Sequence, residues 1–374
     1  MNATQVIDLE DTDGLLAADR EGLLRAASSA GAQVRAVAAA ADEGALDSLR
    51  ADDRPRSIIW VAGRGTAETA GTLLAATLGG AASAPIALAS DAPPWVGPLD
   101  VLIVAGDDPA DPALVGAAAT GVRRGARVVV AAPYEGPLRD STAGRAAVLQ
   151  PRLWVRDEFE LSRYLAAGLA ALHTADPSSS IDLALLADEL DAEALRNSAG
   201  RELFTNPAKT IATRISGRQV ALAGDCAATL ALARHGSSVL LRIAHHVAAA
   251  TGLADAVVAL RGTSELGSGL GQAPSSVDTL FHDEEIDGPL PDRLRVLALT
   301  LAGERTVVAA RVAGLNEVYL IAAEDVPEVP GGVGGSGGLV GALAPGGAAR
   351  AEQQLAVLAV RLEMAAVYLR LVRG

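Results

Sequence analysis

The chain has 374 residues, of which 50% are apolar and only 3% aromatic, and its formal charge is −14 at neutral pH. This composition excludes a disordered or collagen-like chain, and at roughly 100 to 200 residues per domain the length predicts two domains. Acidic and basic residues are interspersed without a basic stripe, which argues against nucleic-acid binding.

The cellular location is predicted from the first residues and from the cysteine content. Asp8, Glu10, Asp11 and Asp13 stand where a secretory signal would have a basic start and an apolar run. No stretch reaches about 20 uninterrupted apolar residues, so we expect no membrane span. Cys226 is the only cysteine, which excludes an intrachain disulfide and a Cys-based zinc cluster. We therefore expect a cytoplasmic protein.

The first half of the chain alternates strand and helix patterns. After an amphipathic helix over Gly14–Ala41, the aliphatic run Ser57–Ala62 ends in a Gly turn and a helix follows over Ala67–Thr77. Short joins marked by Gly or Pro connect the later elements, which is typical of a parallel sheet with helices on both faces. The further predicted strands are Pro85–Ala89, Asp100–Ala105, Gly125–Ala132 and Ala147–Gln150, and the further helices are Ala110–Arg124 and Glu158–His173.

The polar stretch Ala175–Ser180 favours a domain boundary, and we expect two α/β domains, over residues 1–180 and 195–374. The second domain repeats the pattern of the first in weaker form and closes with a long amphipathic helix. Residues 329–347 are rich in Gly and Pro and predict a loop. The predicted elements are helices at Pro207–Ser216, Thr229–Arg234, Ala244–Thr251, Glu304–Ala313 and Ala349–Val372, and strands at Gln219–Leu222, Val239–Leu241, Ala256–Leu260, Leu294–Leu301 and Val318–Ala323.

The turn Gly63-Arg64-Gly65-Thr66 is the best local candidate for a ligand site. A strand that runs through glycines into a helix exposes backbone N–H groups at the positive helix end, where phosphate binds. An ordinary tight turn is the alternative, because the motif lacks the third glycine of a dinucleotide fingerprint and the Lys of a P-loop. Dinucleotide binding would also need an acidic residue after the next strand, which Asp91 matches only loosely.

A second candidate is Gly106-Asp107-Asp108-Pro109, which follows the strand Asp100–Ala105. Ligands of open α/β sheets bind at this edge of the sheet, but two aspartates repel a phosphate. The alternative is that Asp107 or Asp108 caps the next helix.

Three further groups are weaker candidates. His245 and His246 suggest acid–base or metal chemistry, although neighbouring helical positions point about 100° apart, so a structural role is the simpler interpretation. The turn His282–Glu285 either binds a divalent ion or is a solvated acidic turn. Asp225 and Cys226 follow a strand without a paired histidine nearby, which gives no basis for a thiolate nucleophile.

Several segments together resemble one protein family. Asn206-Pro207-Ala208-Lys209 is similar to the N-P-A-K start of the second half of bifunctional phosphoglucose/phosphomannose isomerases, and Met364–Leu369 resembles that family's final V-S-x-Y-L helix. The turn at Gly63 stands where the family has G-x-G-G-S-A, the loop Ala92–Trp95 where it has a Pro–Trp segment, and Gln150-Pro151-Arg152 where it has a Pro–Arg pair. The chain thus resembles a divergent, actinobacterial-type member over about residues 20 to 370.

The resemblance implies a fold, a ligand and an assembly. The fold would be two sugar-isomerase (SIS) domains of the α/β class, each a parallel sheet between helices in a three-layer, flavodoxin-like sandwich. The ligand would be a phosphorylated sugar, with neither cofactor nor metal, and the protein would be a homodimer because the family's sites lie against a subunit interface. The ligand-binding residues it implies are Gly63, Arg64, Gly65, Thr66, Asp107 and Arg152.

The chain departs from the family where that family performs its chemistry. Asp107 and Asp108 replace a serine-rich phosphate loop, Ala248-Ala249-Ala250 replaces the N-E-N around the base, and no histidine lies near Leu260–Leu270. An enediol step needs a positioned base, whose loss costs about 10² to 10⁴-fold in rate.

Two hypotheses follow from these departures. The first is a phosphosugar-binding protein with a degraded isomerase site and a regulatory or partner role among sugar-phosphate enzymes. The second is an active isomerase that interconverts glucose 6-phosphate or mannose 6-phosphate with fructose 6-phosphate. A Glu or His that points into the cleft at Gly63–Thr66 is needed for the second.

Overall fold

The computed structural model describes residues 7–51, 53–177, 181–270, 294–324 and 350–373, with the backbone alone over 262–270. The expected loop at 329–347 and the acidic turn His282–Glu285 lie outside these residues.

Three helices open the described chain, where the sequence predicts one helix over Gly14–Ala41. The interruption lies at Asp19, whose carboxylate accepts hydrogen bonds from the N–H groups of Leu23 and Leu24 at 2.7 and 3.0 Å. Gly22 next to it has a left-handed φ of 67°, which favours glycine. The three helices are α1 (Thr12–Ala18), α2 (Leu23–Ala27) and α3 (Ala30–Asp42).

The first sheet has five parallel strands, and helices connect most of them. In chain order the elements are β1 (Ser57–Ala62), α4 (Gly65–Leu78), β2 (Ile86–Ala89), β3 (Asp100–Ala105), α5 (Pro112–Arg123), β4 (Arg127–Ala131), α6 (Gly136–Thr142), β5 (Ala147–Val148) and α7 (Leu161–Ala175). The strand order is β2-β1-β3-β4-β5, with Trp60 opposite Leu88 on one side and Ile103 on the other.

The side chains of β1 alternate between two apolar layers, as a strand covered on both faces requires. Ile58 and Trp60 pack in the cluster that holds α4 and α7, and Ile59 and Val61 pack in the cluster that holds α5 and α6. The first half is therefore a three-layer α/β/α sandwich, as expected.

The second sheet has four parallel strands in the order β7-β6-β8-β9. After the linking helix α8 (Leu183–Arg196), its elements are α9 (Pro207–Ile215), β6 (Val220–Gly224), α10 (Ala227–Ala244), β7 (Ala249–Gly252), α11 (Leu253–Leu270), β8 (Arg295–Thr300), α12 (Arg305–Arg311) and β9 (Val318–Ala322). Leu222 faces α10 while Ala221 and Ala223 face α11 and α12, so this half is also a three-layer sandwich.

The predicted helix Thr229–Arg234 lies inside α10, but between residues 239 and 260 the predicted elements are wrong. The predicted strand Val239–Leu241 lies inside α10, the predicted helix Ala244–Thr251 overlaps most of β7, and the predicted strand Ala256–Leu260 lies inside α11. Helix α10 packs against the second sheet and also against α4 of the first half. Because apolar residues cover so much of its circumference, the one-sided period that identifies a surface helix is obscured.

The final helix, α13 (Ala351–Arg373), passes between the two halves. It packs against α1, α2, α4 and α7 of the first half and against α8, α9 and α10 beyond it. Buried residues of both halves consequently form one continuous apolar cluster. Within the described residues, no helix is long and apolar enough to cross a membrane.

Candidate functional site

The candidate site lies at the carboxyl edge of the first sheet, between β1 and β3. Strand β1 pairs with β2 on one side and β3 on the other, so the connections that leave β1 and β3 diverge to opposite faces of the sheet. Such a switch point opens a crevice between two loops and is where open α/β sheets bind ligands. Here the loops are 63–65 and 106–111.

Two glycines shape the first loop. A Cβ at Gly63 would lie 2.5 Å from Oδ2 of Asp111 in the second loop, so the close approach of the loops requires glycine there. Gly65 has a left-handed φ of 66° and opens α4. Among the described residues no side chain caps α4, so the N–H groups of its first turn face the crevice at the positive end of the helix.

Thr66 is buried and its hydroxyl is engaged. It donates a hydrogen bond to the backbone carbonyl of Asp157 at 3.1 Å. Since that hydroxyl has one proton, it can accept from a ligand but cannot donate to a phosphate while this bond persists. Thr66 therefore fastens the segment after β5 to the start of α4.

The second loop places one aspartate at the crevice and uses another as a cap. Asp111, before Pro112, accepts from the N–H of Ala113 at 2.9 Å and caps α5. The predicted capping by Asp107 or Asp108 is therefore wrong, because the helix begins later than Ala110. Asp107 instead lies 4.0 Å from Nε of Arg64, and both side chains are largely exposed.

The third wall comes from the segment after β5 and from the end of α10. Arg242 donates to the Asp157 carboxylate at 2.6 Å and lies 3.2 Å from that of Glu158. Glu158 also contacts Arg156, whose pKa is raised by its hydrogen bond with Glu158. This set of ion pairs joins the second half of the chain to the cleft of the first.

Tyr164 on α7 closes the bottom of the cleft. It is 1% exposed, and its hydroxyl has no hydrogen-bond partner among the described residues. The Arg163 guanidinium lies 4.1 Å from the ring centroid. Burial raises the pKa of Tyr164, and the Asp107 and Glu160 carboxylates add to the increase against the opposing effect of Arg163. The hydroxyl therefore keeps its proton at neutral pH.

The resulting cleft has a volume of about 320 Å³ and holds two arginines and two aspartates. Neither Glu nor His is among the described residues that line it, and no group of three or more His, Cys, Asp or Glu in the described part of the chain could hold a metal ion. The lining residues are Arg64, Gly65, Thr66, Ala67, Asp107, Asp157, Tyr164 and Arg242.

The structure brings most of the expected site residues together but places Arg152 elsewhere. Arg64, Gly65, Thr66 and Asp107 line one cleft, and Gly63 precedes them in the same loop. Arg152 donates to both carboxylate oxygens of Glu43 beyond α3 and lowers the pKa of that carboxyl. Its guanidinium is thus held by an intramolecular ion pair away from the cleft.

Sequence reasoning missed three cleft residues. Asp157 immediately precedes the predicted helix Glu158–His173, Tyr164 lies within that helix, and Arg242 lies just after the predicted strand Val239–Leu241. None of them belongs to a local motif, and only the packing of α10 and α7 against α4 brings them to the cleft. A correct assignment of α10 as one long helix would have been the signal for Arg242.

The other sequence candidates have structural roles where they are described. Asp225 pairs with Arg311 at the edge of the second sheet, and Cys226 is the N-cap of α10, where its backbone N–H donates to Oγ1 of Thr229 at 3.1 Å. His245 ends α10 in a left-handed conformation, and Nδ1 of His246 lies 3.2 Å from Arg373. Asp91 is exposed and its carboxylate accepts from the N–H of Ala92.

Comparison with known proteins gives a match in structure and none in sequence. No family model matches the chain, and no curated protein matches it significantly. A Clostridium difficile protein assigned as a phosphosugar isomerase has a TM-score of 0.59 at 12% identity, over 94% of this chain and 93% of its own.

Two further structures are similar over nearly the whole chain. Tagatose-6-phosphate ketose/aldose isomerase from Escherichia coli has a TM-score of 0.57 at 15% identity and covers 94% of this chain and 91% of its own. The C-terminal domain of glucosamine-fructose-6-phosphate aminotransferase from Francisella tularensis has a TM-score of 0.55 at 11% identity and covers 94% and 95%. The chain thus has the α/β fold of phosphosugar isomerases, with parallel sheets flanked by helices.

Proposed function

We propose that this protein binds a phosphorylated sugar of the glucose, mannose or fructose 6-phosphate type in the cleft at the start of α4, and does not isomerise it. The observation that carries the proposal is the uncapped first turn of α4, which opens into a cleft with Arg64 and Arg242. The shared fold supports it, because the similar structures include proteins named for their action on sugar phosphates.

Free N–H groups and two guanidinium groups suit a phosphate. Backbone donors at a helix start and the partial positive charge of the helix stabilise a bound anion without a lysine. Arginine adds paired donors that match phosphate oxygens. The phosphate would approach Gly65 and Thr66 from the cleft side, and Arg242 would exchange part of its contact with Asp157 for the ligand.

The two aspartates limit the affinity. Asp107 and Asp157 balance the charges of Arg64 and Arg242, so the cleft is close to neutral before the ligand binds. A dianion gains less from a neutral cleft than from a cationic one. We expect binding in the millimolar rather than the nanomolar range, which fits a sensor of an abundant metabolite.

The lining also supports binding without isomerisation. Transfer of a proton between C1 and C2 of a sugar needs a base within hydrogen-bond reach, most often Glu or His. The described lining has neither, and Asp157 is held by Arg242. The proposal extends to a homodimer, as the family resemblance implies, that is located in the cytoplasm. Its departures from the family favour a regulatory or partner role in sugar-phosphate metabolism.

Proton NMR in deuterated buffer tests the proposal. Mannose 6-phosphate, fructose 6-phosphate and glucose 6-phosphate are each incubated with the full chain. Broadened ligand lines without exchange are expected. A new isomer, or deuterium at C1 or C2, would show an active enediol enzyme, and unchanged spectra with all three sugars would remove the binding proposal.

A matched pair of arginine variants locates the site. Arg242→Gln should weaken hexose 6-phosphate binding about tenfold, because it removes a guanidinium from the cleft. Arg139→Gln on α6 removes an exposed guanidinium paired with Asp140 and should leave binding unchanged. Equal affinities of the two variants in calorimetric titrations would place the ligand outside this cleft.

A further inference from the structure

A buried hydroxyl without a partner is unusual, and Tyr164 has one in the cleft. Two other tyrosine hydroxyls do have partners. That of Tyr134 contacts Oγ1 of Thr142 at 2.6 Å, and that of Tyr368 donates to the carbonyl of Asn197 at 2.5 Å. Leaving such a group unpaired costs free energy in the unliganded protein. A folded chain tolerates this cost where a ligand supplies the partner.

The neighbouring residues do not supply one. The Glu160 carboxylate is close enough to help raise the pKa of Tyr164, but no hydrogen bond of ordinary geometry joins the two. That carboxylate is held instead by the Nε and Nη2 groups of Arg163 at 3.2 and 2.7 Å. That guanidinium in turn covers the face of the Tyr164 ring, which fixes the ring in place. The remaining neighbour across the cleft, Asp107, pairs loosely with Arg64. Tyr164 is therefore a rigid, buried side chain at the wall of the cleft, and its hydroxyl has no hydrogen-bond partner among the described residues.

We propose that Tyr164 recognises the sugar part of the ligand by donating its hydroxyl proton to a sugar oxygen, and so determines that the cleft selects sugar phosphates over phosphate alone. The inference rests on the proposed function. It adds a chemical requirement: the ligand carries, beyond its anionic group at α4, an oxygen that accepts a hydrogen bond at the bottom of the cleft. A site built to pair with such an oxygen rejects ligands that lack it.

Two tyrosine variants of the full chain test this role. Tyr164→Phe removes an unpaired hydroxyl, so it should leave the thermal midpoint unchanged or raise it, while hexose 6-phosphate affinity falls about tenfold. Tyr134→Phe removes a paired hydroxyl that is not among the lining residues of the cleft, so it should lower the midpoint and leave affinity unchanged. The probes are glucose 6-phosphate, fructose 6-phosphate and inorganic phosphate, titrated by calorimetry.

The outcomes separate this inference from the function it rests on. Unchanged phosphate affinity in Tyr164→Phe together with weaker sugar-phosphate binding supports the role. Equal loss for phosphate and sugar phosphates, no loss for either, or a lower thermal midpoint overturns it and leaves phosphosugar binding in place. A wild-type chain that binds none of the three probes overturns both.

Discussion

Glu193 and Glu363 show how two buried carboxyl groups acquire opposite pKa shifts. Burial alone would raise the pKa of Glu193, but the guanidinium of Arg361 at 2.7 Å, with Arg196 and Asn197, lowers it. Among the described residues, the hydrogen-bond partner of the Glu363 carboxylate is His235, whose Nε2 lies 2.8 Å away, and there burial prevails and raises the pKa. The number of positive charges near each carboxyl group determines the direction.

The pH dependence of two matched variants follows from these directions. Because the folded pKa of Glu193 is lowered, its stabilising contribution is present above the unfolded value of about 4.5 and is lost as pH falls through the folded pKa. Glu193→Gln should therefore cost about 3 kcal/mol at pH 7, since it leaves Arg361 with an unpaired buried charge, and less at pH 3.5.

Glu363→Gln should show the opposite dependence. The folded pKa of Glu363 is raised, so its stabilising contribution is present below about pH 4.5 and is lost as pH rises through the folded pKa. The free energy of unfolding of the wild type, relative to this variant, should then fall as pH rises above about 4.5. Urea unfolding at several pH values measures both, and parallel curves for the two variants would contradict the assigned environments.

Asp107 offers a test of the charge balance in the cleft. Its carboxylate opposes a bound phosphate at a distance of a few ångströms in a solvated site, where one charge is worth about 1 kcal/mol. Asp107→Asn should tighten hexose 6-phosphate binding about fivefold, more at low salt than at high salt.

Asp140→Asn on the exposed face of α6 is the control, and titration in 20 mM and 300 mM salt is the measurement. Weaker binding by Asp107→Asn would mean that Asp107 accepts a hydrogen bond from the ligand, and its charge would then contribute to binding.

At the scale of the element, the sequence correctly predicts strands that are apolar over nearly their whole length. Strands β1 and β3 are each an uninterrupted apolar run after one polar residue, and they occupy the predicted residues. Helix α10 packs against the second sheet, α4 and α13, and so carries apolar residues on several faces. Because this pattern lacks a helical period, the sequence from Val239 to Leu241 predicts a strand. The length of α10 becomes evident only from the partners that surround it.

Some residues of the candidate site belong to a local sequence motif and can be predicted, whereas others reach the site only through tertiary packing. The loop at Gly63–Thr66 is recognisable because glycines and a helix start lie within four residues of each other. Tyr164 and Arg242 have no such signature, since the first faces the cleft from an internal helix and the second from the other half of the chain. Arg152 was proposed from a family pattern, and its side chain instead meets Glu43, which no local pattern indicates.

At the scale of the whole molecule, α13 joins what the sequence predicts as two domains, 1–180 and 195–374. Its residues from Leu355 to Leu369 are buried among helices of both halves, and the apolar cluster is continuous through them. Neither half can bury its inner helices without α13, so we expect both sheets to unfold in one cooperative transition.

A substitution where α13 packs against the second half tests this cooperativity, because the tryptophans report on the first half. Leu362 packs near Gly236 of α10, in the second half, and is buried. All three tryptophans, Trp60, Trp95 and Trp154, lie in the first half. Leu362→Ala should cost about 2 to 5 kcal/mol, and cooperative unfolding requires that tryptophan fluorescence and far-ultraviolet circular dichroism report the same lowered midpoint. A fluorescence midpoint that stays at the wild-type value while circular dichroism becomes biphasic would instead show two domains that unfold independently, because the first half would then keep its structure after the second has lost its own.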